Sequence, residues 1–357
     1  MRNIYGPTIW NFCQLNRLYA KTNTDNSSSV VKEAPYMSSA IFIIGAITDE
    51  MRASLSPDFI LHDVAQMDDV ETWLAANGQT IKYVLTNGHD GIADDWVTNM
   101  PNLKLISNYG VGYDAINAQA ARASDILVTH TPDVLNDEVA TTAIMLMLAC
   151  YRELRASDQH IRSGAWGAGE MLTLSRSADH RRVGIVGLGR IGLAIADKLT
   201  AFHANIAYHS RSEKDVPFTY YADLQEMAKD CEALIVITPG GDETKHLVSK
   251  DVIEALGPDG VLINVARGTV VDEGALVDAL ANGTLGAAGL DVFEQEPHVP
   301  AALLDMPNVV VTPHIGSATI ETRRAMGQLT VNNIISHAKT GKVFSPVPEC
   351  RDIAELA

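Results

Sequence analysis

The sequence predicts an α/β protein of two doubly wound, parallel-sheet domains of Rossmann-like or flavodoxin-like type, with an active-site cleft between them. Three observations carry this. From Ala40 onward, short apolar runs rich in β-branched residues alternate with segments of helical periodicity, the pattern of a parallel sheet covered by helices. The run "RRVGIVGLGRIGLAIADKL" passes from a strand through Gly187, Gly189 and Gly192 into a periodic helix. A long amphipathic helix at each end of the second series implies that the chain leaves the first domain and later returns to it.

The first series of strands is "AIFIIG", "FILHDV", "YVLTNG", "LKLISNYG" and "ILVTHT", separated by helical stretches such as "DEMRASL" and "VETWLAAN". One long helix, "LNDEVATTAIMLMLACYRELRAS", then leads away. The second series is "RVGIVG", "NIAYHS", "ALIVIT", "GVLINVA", "GAAGLDV" and "VVVTPH", with helices at "ADLQEMAKD", "KDVIEAL" and "EGALVDALANG". The final helix, "IETRRAMGQLTVNNIISHAKTGK", has no strand left to cross over to. These elements divide the chain into an extension over 1–39, a discontinuous domain of 40–140 plus 320–357, and a dinucleotide-binding domain of 141–319.

A chain of 357 residues suffices for two domains of ordinary size. Its net charge of −17 argues against a general nucleic-acid binder, which needs basic patches to neutralise phosphates. The four cysteines, Cys13, Cys150, Cys231 and Cys350, are scattered without metal-ligand spacing and read as reduced thiols of a cytoplasmic protein, with no bound metal. The longest apolar run, Ala143 to Tyr151, is far short of the roughly 20 residues that cross a bilayer, so no membrane span is expected. Met1 to about Ser39 lacks apolar periodicity. Its first part holds three basic residues and no acid, a faint likeness to a transit peptide, but an extension or a start at Met37 suits it better.

Gly187 permits a tight strand-to-helix turn, Gly189 lets backbone approach a pyrophosphate, and Gly192 allows close helix–strand packing. The helix beyond directs N–H groups at phosphates, and Arg190 can add a charge-assisted contact. Taken alone, the glycine pattern is weak; its place between a strand and a helix strengthens it. The next strand ends in His209-Ser210-Arg211-Ser212, where a site for NAD usually carries an acid for the ribose 2′-hydroxyl. Two hydroxyls and a guanidinium suit a 2′-phosphate instead, so NADP(H) is expected, with NAD(H) the lesser alternative. A solvated loop arginine is the plainer reading of Arg211.

Three later strand ends carry polar groups: Arg267 in "INVARGTVVDE", Asp291, Glu294 and Glu296 in "GLDVFEQEPHVP", and His314 in "VVVTPHIGSAT". A carboxylate beside a histidine favours imidazolium, and an arginine binds a carboxylate or polarises a carbonyl. With a nicotinamide, such groups suit reduction of a 2-keto acid. Taken singly, Arg267 also suits a helix-entry salt bridge, Glu296 a turn before Pro297, and His314 a satisfied loop histidine.

The ordered series "GLGRIG", "NVARGTVVDE", "GLDVFEQEP" and "TPHIGSAT" resembles the D-isomer-specific 2-hydroxyacid dehydrogenase family over about residues 40 to 345. Within it, "YHSRS", "TPGGDET" and "LDVFEQEPHVP" look most like NADPH-linked glyoxylate/hydroxypyruvate reductases, with hydroxyphenylpyruvate and 2-ketogluconate reductases close behind. The resemblance implies catalytic roles for Arg267, Glu296 and His314, and a nicotinamide-carboxamide contact at Asp291, leaving Glu294 without a catalytic role. It further implies cofactor contacts at Ile191, Thr238, Pro239, Ala266 and Gly316. In "SNYGVGYD", Val111 and Gly112 would offer N–H groups to the substrate carboxylate, although a plain turn also fits. "RSGAWG" implies a homodimer with Trp166 near its interface, against Trp166 as a simple core anchor. Loops around Asn87 and Tyr109 would shape the substrate end of the pocket. One departure is Thr141, which stands where many members carry an acid. A dehydrogenase-fold binding protein akin to the family's corepressors, and a methyltransferase using the glycine loop, are the alternatives from other classes. The acidic surface disfavours the first, and the Arg, Glu and His series the second.

Overall fold

Strand order in the two sheets determines where a ligand can sit. The protein is described from a computed structural model covering residues 39–357. The extension expected over 1–39, Ser39 apart, and Cys13 lie outside the described residues. The first sheet is all parallel in the order β2-β1-β3-β4-β5, formed by Ala40–Ile43 (β1), Ile60–Asp63 (β2), Ile81–Thr86 (β3), Leu105–Asn108 (β4) and Leu127–Thr129 (β5). Strands β1, β4 and β5 are buried at every position, which is why β1 is a continuous apolar run and β4 and β5 open on apolar pairs rather than alternating, with buried Ser107, Asn108 and Thr129 at their carboxyl ends.

The second sheet is also parallel, in the order β12-β11-β10-β9-β6-β7-β8. Its strands are Arg182–Val186 (β6), Asn205–His209 (β7), Thr219–Tyr220 (β8), Ala233–Val236 (β9), Val261–Asn264 (β10), Ala287–Leu290 (β11) and Val309–Val311 (β12). The order reverses between β6 and β9, so the crevice beyond their carboxyl ends is the natural ligand site. Residue pairing along β10, β11 and β12 aligns Asn264 with Leu290 and Leu290 with Val311. The segments that follow these three strands therefore leave the sheet side by side.

Helix Asn136–Tyr151, within which the boundary expected at 140/141 falls, packs against helix Arg190–Thr200 and strands β10, β11 and β12. It does not continue to Ser157 as the periodicity predicted. Glu153 adopts a left-handed conformation with φ 48°, which breaks the helix, and a second helix, Leu154–Arg162, starts after it. Thr141 is exposed on the first helix and donates to the Asp137 carbonyl.

The last long helix, Ile320–Thr340, is capped by the Thr319 hydroxyl, which accepts from Thr322 N, and ends at Gly341 with φ +77°. It packs on helix Asp49–Leu55 and on β4, back on the first sheet. Buried Asn333 fixes its tail: the side-chain oxygen accepts from the N–H groups of Phe344 and Ser345, and the amide donates to Leu329 O and Ser345 Oγ. No helix among the described residues is long and apolar enough to cross a membrane.

Candidate active site

The glycine loop after β6 has the three properties its sequence demands. Gly187 has φ +103°, where a side chain would be strained, and a Cβ there would press on Thr238 Cγ2 and Ile237 O at 2.9 Å. A Cβ at Gly192 would collide with the Gly187 carbonyl, so this residue sets the close approach of helix to strand. At Gly189 a Cβ would meet no protein atom within 4 Å; it would instead fill the space before the N-terminus of helix Arg190–Thr200. Across the switch point, after β9, Thr238 Oγ1 is buried and has no hydrogen-bond partner among the described residues. An orphan hydroxyl beside an open helix N-terminus fits a dinucleotide whose phosphates and sugars need donors. Ile191 is half-buried in the first helical turn, and Pro239 is exposed with its carbonyl accepting from Thr244 Oγ1.

The exit of β7 carries the Ser210-Arg211-Ser212 turn expected to meet the cofactor. Ser210 Oγ donates to Ser212 O at 2.7 Å, which folds the turn and leaves Arg211 exposed, with no ion pair among the described residues. Arg190 is engaged differently from the phosphate contact expected of it: its Nε lies 3.2 Å from Asp133 Oδ1 of the segment after β5.

Arg267 is projected by a buried asparagine. Asn264 Oδ1 accepts from Ala266 N at 3.1 Å while its amide donates to Arg267 O at 2.9 Å, so the N–H of Ala266 is committed to shaping the turn. A Cβ at Gly268 would collide with the Phe293 carbonyl and Glu294 N. Only glycine lets the Arg267 loop lie directly on the loop that carries Glu296.

That second loop brings Glu296 to His314. His314 Nδ1 and Glu296 Oε2 are 2.7 Å apart, and the other Glu296 oxygen accepts from Phe293 N at 3.1 Å. Burial pushes the Glu296 carboxyl up, but the hydrogen bond and charge of His314 and the Phe293 N–H outweigh it, leaving the group below its ordinary value. His314 has φ 51°, a conformation that costs a non-glycine residue roughly 1–3 kcal/mol. Asp291 holds it there. This carboxylate is 1% exposed and accepts from Thr312 Oγ1 at 2.6 Å and from the N–H groups of Ile315 and Gly316, both at 2.8 Å. The Asp291 carbonyl accepts from His314 N at 2.8 Å. Burial raises the Asp291 pKa, and its three donors and the nearby imidazole oppose that rise. Glu294 pairs with His246 at 2.8 Å, away from the His314 pair.

The first sheet supplies the facing wall. Val111 and Gly112 follow β4, and neither N–H has a hydrogen-bond partner among the described residues. Val111 O accepts from His130 Nδ1 at 3.0 Å, which requires the proton on that nitrogen. A Cβ at Gly112 would collide with Arg267 Nη2, so the two lobes touch here. Of the loops expected to shape the substrate end, Asn87 folds its own turn by accepting from His89 N and Asp90 N, and the Tyr109 hydroxyl donates to Arg323 O. Trp166 is 67% exposed, which overturns the core-anchor reading. Sequence reasoning passed over Asn264, Thr312, His130 and above all Asp114, which ion-pairs with Arg267 at 3.1 Å. Asp114 stands inside the motif "SNYGVGYD", so an unpaired acid beside a glycine loop was the available signal.

A nucleotide-type sheet edge that also carries an arginine and a hydrogen-bonded His–Glu pair, facing the loops of a second sheet, is the layout of an α/β oxidoreductase. Residues 144–316 match the model of the "D-isomer specific 2-hydroxyacid dehydrogenase, NAD binding domain", and the chain belongs to that family. Hydroxyphenylpyruvate reductase of Plectranthus scutellarioides is 44% identical over 77% of this chain and 88% of its own length. Glyoxylate/hydroxypyruvate reductase A of Arabidopsis thaliana is likewise 44% identical, over 77% of this chain and 88% of its own. Among solved structures, an NADPH-dependent glyoxylate/hydroxypyruvate reductase from Sinorhizobium meliloti, in complex with NADP and malonate, superposes with a TM-score of 0.83 at 43% identity. It spans 87% of this chain and 97% of that one.

The depressed pKa of Glu296 gives its interactions a pH signature. Their contribution to stability is present in full above the ordinary value of 4.5 and is lost as pH falls through the lowered one. Glu296→Gln is expected to unfold at lower urea than the parent at neutral pH, with the gap closing as the pH is taken below that value. A gap that stays constant down to about pH 3 would contradict the pairing.

Proposed function

We propose that this chain reduces a small 2-keto acid, glyoxylate or hydroxypyruvate, to the D-2-hydroxy acid, using NADPH in preference to NADH. The observation that carries the reading is the 2.7 Å pair of His314 and Glu296 on the strand edge next to Arg267. Because Nδ1 of His314 is taken by Glu296, Nε2 is the nitrogen left to give a proton to the substrate oxygen. Arg267 anchors the substrate carboxylate and polarises the keto group, and the unpartnered N–H groups of Val111 and Gly112 receive the carboxylate from the other lobe. When bound, NADPH supplies the hydride to the keto carbon. The glycine loop, with Arg190, Ile191, Thr238, Pro239, Ala266, Asp291 and Gly316, holds and orients it, within a dinucleotide domain of 141–319. Residues 40–140 and 320–357 form the substrate domain. The hydroxyl and guanidinium groups of Ser210, Arg211 and Ser212, with no acid at the end of β7, favour a 2′-phosphate. The relative from Sinorhizobium meliloti, described as NADPH-dependent, supports the same preference.

The chain acts as a homodimer. The stretch 154–174 exposes Leu154, Ile161, Trp166, Met171, Leu172 and Leu174, with Met171 at 87% and Leu174 at 97%. Apolar side chains so concentrated on one stretch favour burial against a second copy. Cys150, Cys231 and Cys350 are free and buried, which suits a reducing, cytoplasmic setting.

NADPH oxidation followed with glyoxylate, hydroxypyruvate, phenylpyruvate and 2-ketogluconate tests the activity; silence with all four would sink it. His314→Ala is expected to lower turnover about 10²–10⁴-fold with NADPH binding retained. Ser210→Asp should move the preference toward NADH, and an unmodified protein that already prefers NADH contradicts the phosphate pocket. Light scattering should give twice the chain mass of 38.5 kDa, falling to one copy when Trp166 and Leu174 are replaced by acids.

A further inference from the structure

We propose that Asp114 is a positioning residue for the reaction: it grips one edge of the Arg267 guanidinium and leaves the remaining donors aimed at the substrate. The inference rests on the reading of Arg267 as the substrate-anchoring cation. Asp114 Oδ2 accepts from Nε at 3.2 Å, and its Oδ1 lies 3.1 Å from Nη2 as the closest approach of the ion pair, so the carboxylate lies along one edge of the guanidinium. Nη1 donates to Ala266 O at 2.8 Å. A guanidinium has five N–H donors, so one on Nη1 and both on Nη2 are left without a hydrogen bond among the described residues. These are the donors that a carboxylate or keto oxygen can take.

The pair is built in rather than incidental. Its side chains are only 26% and 30% exposed. Glycines close the slot from both lobes: a Cβ at Gly112 would collide with Nη2, and one at Gly240 would press on Arg267 Cγ at 2.9 Å and Asp114 Oδ2 at 3.1 Å. Asp114 follows β4 of the first sheet, whereas Arg267 follows β10 of the second. The arginine is thus oriented by the opposite lobe, at the point where the lobes meet.

Two effects oppose one another at such a contact. A carboxylate 3.1 Å from the guanidinium weakens the field felt by an anionic substrate, and so competes with it. The same carboxylate freezes a long, flexible side chain in the reactive orientation before substrate arrives, and a misplacement of about 1 Å can cost about 10²-fold. A hydrogen bond and an ion-pair contact along one edge inside glycine walls, with donors left over, make orientation the larger effect.

The test uses the full chain with Asp114→Asn and Asp114→Ser, each checked for a parent-like melting temperature. At saturating NADPH, KM for glyoxylate or hydroxypyruvate is expected to rise about tenfold to hundredfold, while the Kd for NADPH stays within about twofold. In an Arg267→Lys background the Asp114→Asn change should add no further loss in kcat/KM, because it acts through the arginine. A KM that is unchanged or lower in a folded variant, or losses that multiply in the double variant, overturns the proposal. Should both variants fail to fold, Asp114→Glu serves, and a KM equal to the parent's overturns it. Calorimetric binding of oxalate separates this inference from the functional reading. A parent that binds oxalate through Arg267, more weakly after Asp114→Asn, yet reduces no 2-keto acid, refutes the activity and leaves the positioning role standing.

Discussion

A carboxylate shut away from water is unfavourable unless its oxygens meet donors, and Asp291 meets three. Two of these are backbone N–H groups of the turn after β12, the third is the Thr312 hydroxyl, and a separate bond runs from His314 N to the Asp291 carbonyl. The turn is thereby forced into a tight shape in which His314 accepts a left-handed backbone. Strain at that residue is supported by hydrogen bonds that it does not itself make with its side chain. The imidazole is left free to engage Glu296.

Backbone contact between loops does the rest. Gly268 lets the Arg267 loop lie on Phe293, Gly112 lets the guanidinium reach the first lobe, and Gly192 brings helix Arg190–Thr200 onto β6. At each point any side chain would push charged or nucleotide-binding groups apart. The site is therefore assembled by close approach of main chain, with the parallel register of β10 to β12 delivering Arg267, Asp291 and His314 to one edge.

Much of this was legible in the sequence, because it is encoded locally. A buried parallel strand is a run of apolar residues, and every strand run read from the sequence forms one; the glycine spacing likewise names its own turn. The short strands Thr219–Tyr220, Lys342–Val343 and Glu355–Leu356 carry too few residues for periodicity to register. The break at Glu153 was hidden because its neighbours continue the helical pattern while its backbone does not. Asp114 was hidden for another reason: its partner is 153 residues away, and no periodicity links the two. Glu294 and Glu296 differ by two positions, and only the folded loop separates the one that meets His246 from the one that meets His314.

The chain passes from the first sheet to the second through residues 130–135 and returns through 312–319. His314 stands within the return, and Asp133, with φ 71°, within the outward passage. The imidazole is thus carried by the short run of chain that joins the two sheets, so its aim and the path between the lobes are set by the same few backbone bonds.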